Sequence, residues 1–535
     1  MRKKITAAIL LCVAVVTMIL CAFSSSLADW IFNSNMILDE VSILSQEEWD
    51  TIISVRDESS MNRDFLTYNG GVPAYDSSVN TFYLPQDLDS SSWEGTLSSK
   101  EDGARLVVLE NDLLHDRSTA LQDGTSFSCL YYTDTEYSEF FIVFTGVSTV
   151  CIDYNPYEEL TEEKEDHDGF VMVQGTDGSY VSSDCIFHVR GAVSAYDDKK
   201  SFKVNLRTEE GENNDLSLLG MRSDDDWILN SQYRDGSRIR EPLCYEVWYE
   251  MQELVGVKSP FTSSTEFVEV FLNTQYMGLY ALQEPEDGKT FDLEEDDILY
   301  KVLTWEKDEW GEQGITQYNG EESIEGARIV WPKDSSLLKW DVMENLYLFN
   351  EEYISWEELN ERGVTIDTDE LTLFSLFIQF VRAADSTWKN VYFACEMQQD
   401  GTYEVKLYPW DLNSSFGDDY EGEFNMEKAE KIVDEDGNPT SVAKPWKAYL
   451  ENCPDEAWEQ VCVTWKTLRD AGFSAEYVCQ NATDLWAEVL SSGAIFREAE
   501  KWPGTIDGND YTNMIIWIET RFAAMDQYYE YSAEQ

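Results

Sequence analysis

Histidine is scarce: His115, His167 and His188 are the only three in 535 residues. No two are spaced as in an HExxH helix, and no cysteine pair stands as C-x-x-C, so catalytic and finger-type zinc sites lack their ligands. A G-x-S-x-G elbow is missing, which leaves a Ser-His-Asp hydrolase without its usual nucleophile turn. There is also no P-loop, no G-x-G-x-x-G-x-V loop and no V-A-I-K strand. Basic residues are few, 38 Lys and Arg against 104 Asp and Glu, for a formal net charge of −66. Such a field repels nucleic acid and anionic membranes and favours divalent cations and basic partners. With 29 Gly and 12 Pro a collagenous or linker-dominated chain is excluded. Aromatic residues, by contrast, are abundant: 18 Trp, 29 Tyr and 25 Phe provide material for a large core and exclude a disordered chain.

The N-terminus pairs a basic start (Arg2, Lys3, Lys4) with an apolar run from Ile5 to Phe23 and a small-residue site at Ser26-Leu27-Ala28. This pattern predicts a secretory signal over residues 1–28, with an uncleaved anchor as the alternative, and hence a secreted or cell-surface protein. A membrane is expected to be met only through that anchor. Eight cysteines follow Cys12 and Cys21 of the leader. Their wide spacing suits buried free thiols as well as disulfides.

The length allows about three or four domains. Residues 29–165 read as a β-rich module, with EFFIVFTGVSTVCIDY as one buried strand. TEEKEDHDG, Thr161 to Gly169, marks a boundary. Residues 166–426 read as a mixed core. In it EPLCYEVWYEMQELVG is a helix stopped by Gly256, FVEVFLNTQYMGLYALQE a hairpin turning at Asn273-Thr274, and LTLFSLFIQFVRAA a buried helix. Residues 427–535 read as mainly helical. VDEDGNP, Val433 to Pro439, reads as a turn, because it lacks the remaining ligands of a calcium loop.

Two local patterns carry chemistry. Between Asp184 and Arg207 the charge reverses, with Arg190, Lys199, Lys200, Lys203 and Arg207 against three Asp, and Arg222, Arg234, Arg238 and Arg240 follow. Gathered cations in so acidic a chain point to an anionic ligand such as phosphate, or to pairing with neighbouring Asp. Further on, Asp385 and Asn390 stand as D-x-x-x-x-N, and Asp411 with Asn413 follow in PWDLNSSFG. Phosphoryl transfer needs a carboxylate near the acceptor hydroxyl and oxygen ligands for magnesium. VYFACEM and YEVKLYPW between them read as a strand pair that returns Asp411 beside Asp385; Asp and Asn also suit plain turns.

Five segments in order, VRGAVSAYDDKKSFKVNL, LLGMRSDDDWILNSQYRDGSRIREPLCYEV, FVEVFLNTQYMGLYALQE, ADSTWKNVYFA and LYPWDLNSSFGD, resemble the spore-coat CotH kinase family of atypical secreted kinases. The resemblance covers about Cys185 to Asp418. It implies an α+β chain: a divergent kinase-like domain, preceded by the β-rich module and followed by the helical region. It further implies ATP, Mg2+ or Mn2+, and a basic Ser/Thr-containing protein substrate. By position, Asp385 looks like the catalytic carboxylate, Asp411 and Asn390 like metal ligands, with Asn413 able to join them. Lys200, or else Lys203, looks like the phosphate-contacting lysine, with Glu284 as its charge partner. Arg190 and Arg240 look like phosphate or structural arginines, and Trp410 packs either adenine or the core. The chain departs from the family pattern at Ala192-Val193-Ser194 after Arg190-Gly191, at Thr274 in the hairpin turn, and at Asn205 and Asn413. A non-catalytic surface or coat scaffold and a glycoside hydrolase with paired carboxylates are the competing functions.

Overall fold

The computed structural model describes residues 36–258, 260–304, 314–334, 337–418 and 424–532. The expected leader, residues 1–28, lies outside them. No helix among the described residues is long and apolar enough to cross a membrane, and every cysteine among them is a free thiol. The chain is α+β, with β structure concentrated toward the N-terminus and helices toward the C-terminus.

The N-terminal part is a mixed eight-stranded sheet. Its strand Glu136–Thr145 pairs antiparallel with Ser126–Tyr132 and parallel with Thr81–Pro85. The apolar run expected as one strand is divided at Gly146-Val147. Its first half stays in this sheet and its second half, β1 (Ser148–Tyr154), enters a different one. The backbone passes its neighbours closely at the division, where only glycine fits: a Cβ on Gly146 would lie 2.4 Å from Leu88 Cδ2 and 2.8 Å from the Ser492 Cα.

The second sheet is a closed seven-stranded barrel. It consists of β1, β2 (His167–Gln174), β3 (Tyr180–Arg190), β4 (Ser201–Arg207), β5 (Asp226–Asn230), β6 (Thr265–Leu272) and β7 (Gln275–Gln283). They run in the order β1-β2-β3-β4-β5-β7-β6, and β6 returns parallel to β1. The charged stretch around residue 165 therefore connects two paired strands, β1 and β2, of one barrel. Alternation fills the interior: Phe202, Val204 and Leu206 of β4 join Phe187, Val189 and Trp227 in the core, which leaves Lys203 and Asn205 on the other face. The β6–β7 hairpin turns at Asn273 and Thr274, both left-handed with φ of 46° and 61°. A β-branched residue is strained there. The turn is held from outside, because the Tyr154 amide donates to Asn273 Oδ1 at 2.8 Å and the Ser77 amide to the Thr274 carbonyl at 2.9 Å.

Between β5 and β6 runs α1 (Arg240–Val255), stopped by left-handed Gly256. Beyond the barrel lies a six-stranded sheet built around β8 (Ile298–Val302), β9 (Ala327–Trp331), β10 (Val391–Met397) and β11 (Tyr403–Pro409). One face of it, with Tyr300, Val391, Phe393 and Leu407, packs on the largest core. That core also takes α2 (Thr368–Val381), buried at every residue from Leu371 to Val381. The other face carries Leu299, Tyr392 and Ala394 under Phe291 and Trp410. Three C-terminal helices, Pro454–Ala471, Ala475–Ser491 and Asp510–Tyr528, pack into the same large core, and α3 (Ala494–Lys501) leans on β7.

Candidate active site

Three short backbone bonds assemble one side of the site. Helix α2 ends at Arg382, left-handed at φ 57°, and Asp385 sits in the single turn Ala384–Thr387 that follows. The β10–β11 register sets Val391 opposite Pro409. Asn390 therefore meets Trp410, whose amide donates to the Asn390 carbonyl at 3.2 Å. The Asn390 amide donates to Val302 at 3.1 Å, and the Phe416 amide to Val381 at 2.8 Å. The strand pair thus brings Asp411 back beside Asn390, five residues along from Asp385. Asn390 and Asp411 are both left-handed, with φ of 59° and 58°. Non-glycine residues held there cluster at functional sites.

The oxygen atoms in this corner are unevenly committed. Asp411 is exposed and has no side-chain hydrogen bond or ion pair among the described residues. Asn390 is buried and its Oδ1 has no partner. Asp385 is partly exposed, with Lys389 Nζ 2.7 Å from its Oδ2. Asn413 is partly exposed, and its Oδ1 accepts weakly from Ser414 at 3.5 Å. Carboxylate and amide oxygens with free lone pairs form a hard donor set, the chemistry that Mg2+ or Mn2+ requires. An orphaned, buried Oδ1 on Asn390 and an unpaired carboxylate on Asp411, on backbones joined by the Trp410–Asn390 bond, are donors of the kind such an ion takes.

The barrel and α1 supply the opposite side. The Cys244 thiol lies 3.2 Å from Ser415 Oγ, and Arg240 Nε donates to the Ser415 carbonyl at 3.2 Å, so the start of α1 is fixed to the segment after Asp411. Glu241, buried at the head of that helix, accepts from Asn230 Nδ2 at 2.6 Å. Tyr245 Oη lies 3.3 Å from Glu241 Oε1 and 3.0 Å from Glu286 Oε1. Burial first, then the negative charge of Asp411, pushes the Glu241 carboxyl up to about 7, against the pull of Arg190. Opposite these acids stands Lys301 of β8, 6% exposed. Its Nζ donates to Tyr392 Oη at 2.6 Å and lies 3.5 Å over the Trp410 ring. Burial holds the Lys301 ammonium well below the usual lysine range, partly offset by Glu286 and Asp411.

The residues expected from sequence take definite positions. Arg190 ends β3 and is felt electrostatically by Glu241 and Lys301. Trp410 flanks Asp411 and stacks under Lys301. Lys200 Nζ donates to the Ala195 carbonyl at 2.8 Å, within its own loop. Lys203 pairs with Asp226 at 3.1 Å on the outer barrel face. Glu284 accepts from the Arg222 amide at 2.7 Å. Arg240 is fully enclosed and holds Asp235 and Asp510. Much of the local basic surplus is likewise taken up by carboxylates: Lys199 and Arg238 by Glu498, Arg234 by Asp197.

Lys301, Glu241 and Glu286 stand in no motif of the sequence. A signal for Lys301 exists, since a single lysine interrupts the otherwise apolar strand ILYKV. Glu241 stands before Pro242, where an acid is ordinary helix-start chemistry. A family profile described as CotH kinase protein matches residues 187–525, well over half of the chain. No curated protein matches it.

Proposed function

The chain belongs to the CotH kinase family, and from that premise we propose that it is an exported phosphotransferase, moving the γ-phosphoryl group of ATP to a Ser or Thr hydroxyl of a basic surface or coat protein. One observation carries the reading: the Trp410–Asn390 backbone bond, which brings the chain at Asp411, whose carboxylate is unpaired among the described residues, back to Asn390, whose Oδ1 is orphaned, a few residues from Asp385. In this reading Asp385 accepts the proton of the acceptor hydroxyl as its oxygen bonds to the γ-phosphorus. The bond from that phosphorus to the β–γ bridging oxygen breaks, and ADP leaves with the electron pair. Lys389 steadies the Asp385 carboxylate through one oxygen, which leaves the other for the hydroxyl. Asp411 and Asn390, with Asn413, would hold Mg2+ or Mn2+, which when bound neutralises phosphate charge. Arg190 meets nucleotide phosphate from the barrel side. Lys200 and Lys203 are engaged elsewhere, by the Ala195 carbonyl and by Asp226 on the outer barrel face, and Glu284 accepts from the Arg222 amide, so the three are not assigned to the phosphate. Arg240 acts indirectly, by fixing α1 against the Asp411 segment. Trp410 offers a flat face for the base.

A net charge of −66 favours a Lys/Arg-rich acceptor by electrostatic attraction. Export rests on the leader pattern and accords with the family's spore-coat association. The test is label transfer from γ-labelled ATP, with Mg2+ or Mn2+, to the chain itself and to a basic Ser-rich protein. Label with the wild type and none with Asp385→Ala is the expected result. A wild type that neither transfers label nor binds ATP with metal overturns the proposal and favours a scaffold.

A further inference from the structure

We propose that Lys301, with Arg328 beside it, contacts the polyphosphate of the nucleotide; this rests on the phosphotransferase reading and adds to it cations that the sequence motifs do not mark. Lys301 has an incomplete set of partners. An ammonium has three donors, yet among the described residues Lys301 makes one hydrogen bond, to Tyr392 Oη at 2.6 Å. Its charge otherwise rests on ring faces, 3.5 Å from the Trp410 centroid and 4.7 Å from that of Tyr392. Neither Glu286 nor Asp411 forms an ion pair with it, although both act on it electrostatically.

Lys199 shows what a structural buried lysine looks like in this same chain. It has Glu498 at 2.7 Å and the Ser231 carbonyl at 3.0 Å, with Leu279 O as a further acceptor. Burying an ammonium without such partners is costly, so Lys301 keeps donor positions that an arriving anion would use.

Its neighbours are of the same kind. Arg328 is the cross-strand partner of Lys301 in β9, as Tyr392 is in β10. Arg328 is exposed and has no side-chain bond among the described residues, and Arg190 likewise has none. Arg190 and Arg328 both act on Lys301. Lys301 and Arg328 face each other across two strands, and Arg190 of β3 acts on Lys301 from the barrel, so three basic side chains with donors unclaimed among the described residues bear on one place. A single carboxylate ligand would not need them; a chain of phosphates would.

The test is calorimetric titration of the full chain with Mg-ADP, with Mg-tripolyphosphate and with adenosine. Lys301→Met keeps an apolar stem on Trp410 while removing the charge. It should weaken Mg-ADP and Mg-tripolyphosphate by roughly tenfold or more, the worth of a charged hydrogen bond, and leave adenosine within about twofold. Lys301→Arg should recover part of the loss. Should Lys301→Met fail to fold, Arg328→Ala, at an exposed position, carries the same comparison. Unchanged Mg-ADP affinity in these variants overturns the inference alone. Equal loss of adenosine and ADP, with a lowered melting temperature, assigns Lys301 to packing and also overturns it. A wild type that binds none of the three overturns the phosphotransferase reading and the inference with it.

Discussion

Removing Glu498 should loosen the joint between α3 and the barrel far more than removing the lysine it pairs with. Glu498 is fully enclosed. Its Oε1 accepts from Lys199 Nζ at 2.7 Å and from Arg238 Nε and Nη2 at 3.0 and 2.9 Å, and its Oε2 accepts from the Leu279 amide at 2.8 Å. Glu498→Ala strands two buried cations and an amide. Breaking a buried pair in this way costs about 3–5 kcal/mol. Lys199→Met is different. Burial already works against the Lys199 charge, holding its ammonium down to about 7, and Arg238 remains to satisfy Glu498. What is lost is chiefly hydrogen bonding to two carbonyls, about 1–2 kcal/mol. In urea, followed by tryptophan fluorescence, Glu498→Ala should lower the midpoint by about 1 M or more for a slope of about 3 kcal/mol per molar. Lys199→Met should shift it by less than half as much. Equal shifts in the two variants, or a Glu498→Ala shift within error of zero, would refute the reasoning. The joint matters for the site because Arg238 belongs to the loop that leads into Glu241.

Glycine at 278 should be irreplaceable for the same joint: its φ is 108°, and an added Cβ would lie 2.1 Å from Glu498 Oε2. Gly278→Ala should therefore cost more than about 1 kcal/mol in the same urea assay. Stability should also depend on pH through Glu241. Its folded carboxyl titrates at about 7, above the ordinary 4.5, so in that window the folded chain holds a proton that the unfolded chain releases. Stability then falls as pH rises from 4.5 through 7, by about 3 kcal/mol in all. Glu241→Gln should be more stable than the wild type at pH 8 and lose most of that advantage by pH 5; urea midpoints at the two pH values check this, and a pH-independent difference would count against it.

Much of the frame was readable in the residues. Gly256 ends α1, the strand pair after Asn390 returns Asp411, and the Asn273-Thr274 hairpin turns where its sequence says. These features depend on neighbours within one hairpin or one helix. What could not be read depends on distant partners. The apolar run is divided at Gly146, where Leu88 and Ser492 from distant segments leave room for no side chain. Lys199 stands in a basic run that reads as an anion site, but its partner Glu498 lies 299 residues away. Lys301 gains its meaning from Tyr392 and Trp410, which sheet pairing brings to it across some 90 residues or more. In so acidic a chain a local surplus of cations marks buried ion pairs as readily as a phosphate site, and only the fold separates the two.

In the proposed reaction two aspartates divide the labour, and one paired measurement tests this: metal-dependent ATP binding and phosphoryl transfer, recorded on the same preparations of wild type, Asp385→Ala and Asp411→Ala. Asp411→Ala should lose metal-dependent binding and transfer together. Asp385→Ala should keep binding within a few-fold of wild type while transfer falls by roughly 10²–10⁴-fold, the range of general-base catalysis. Transfer that survives in Asp385→Ala, or metal-dependent ATP binding that survives unchanged in Asp411→Ala, would contradict the claim.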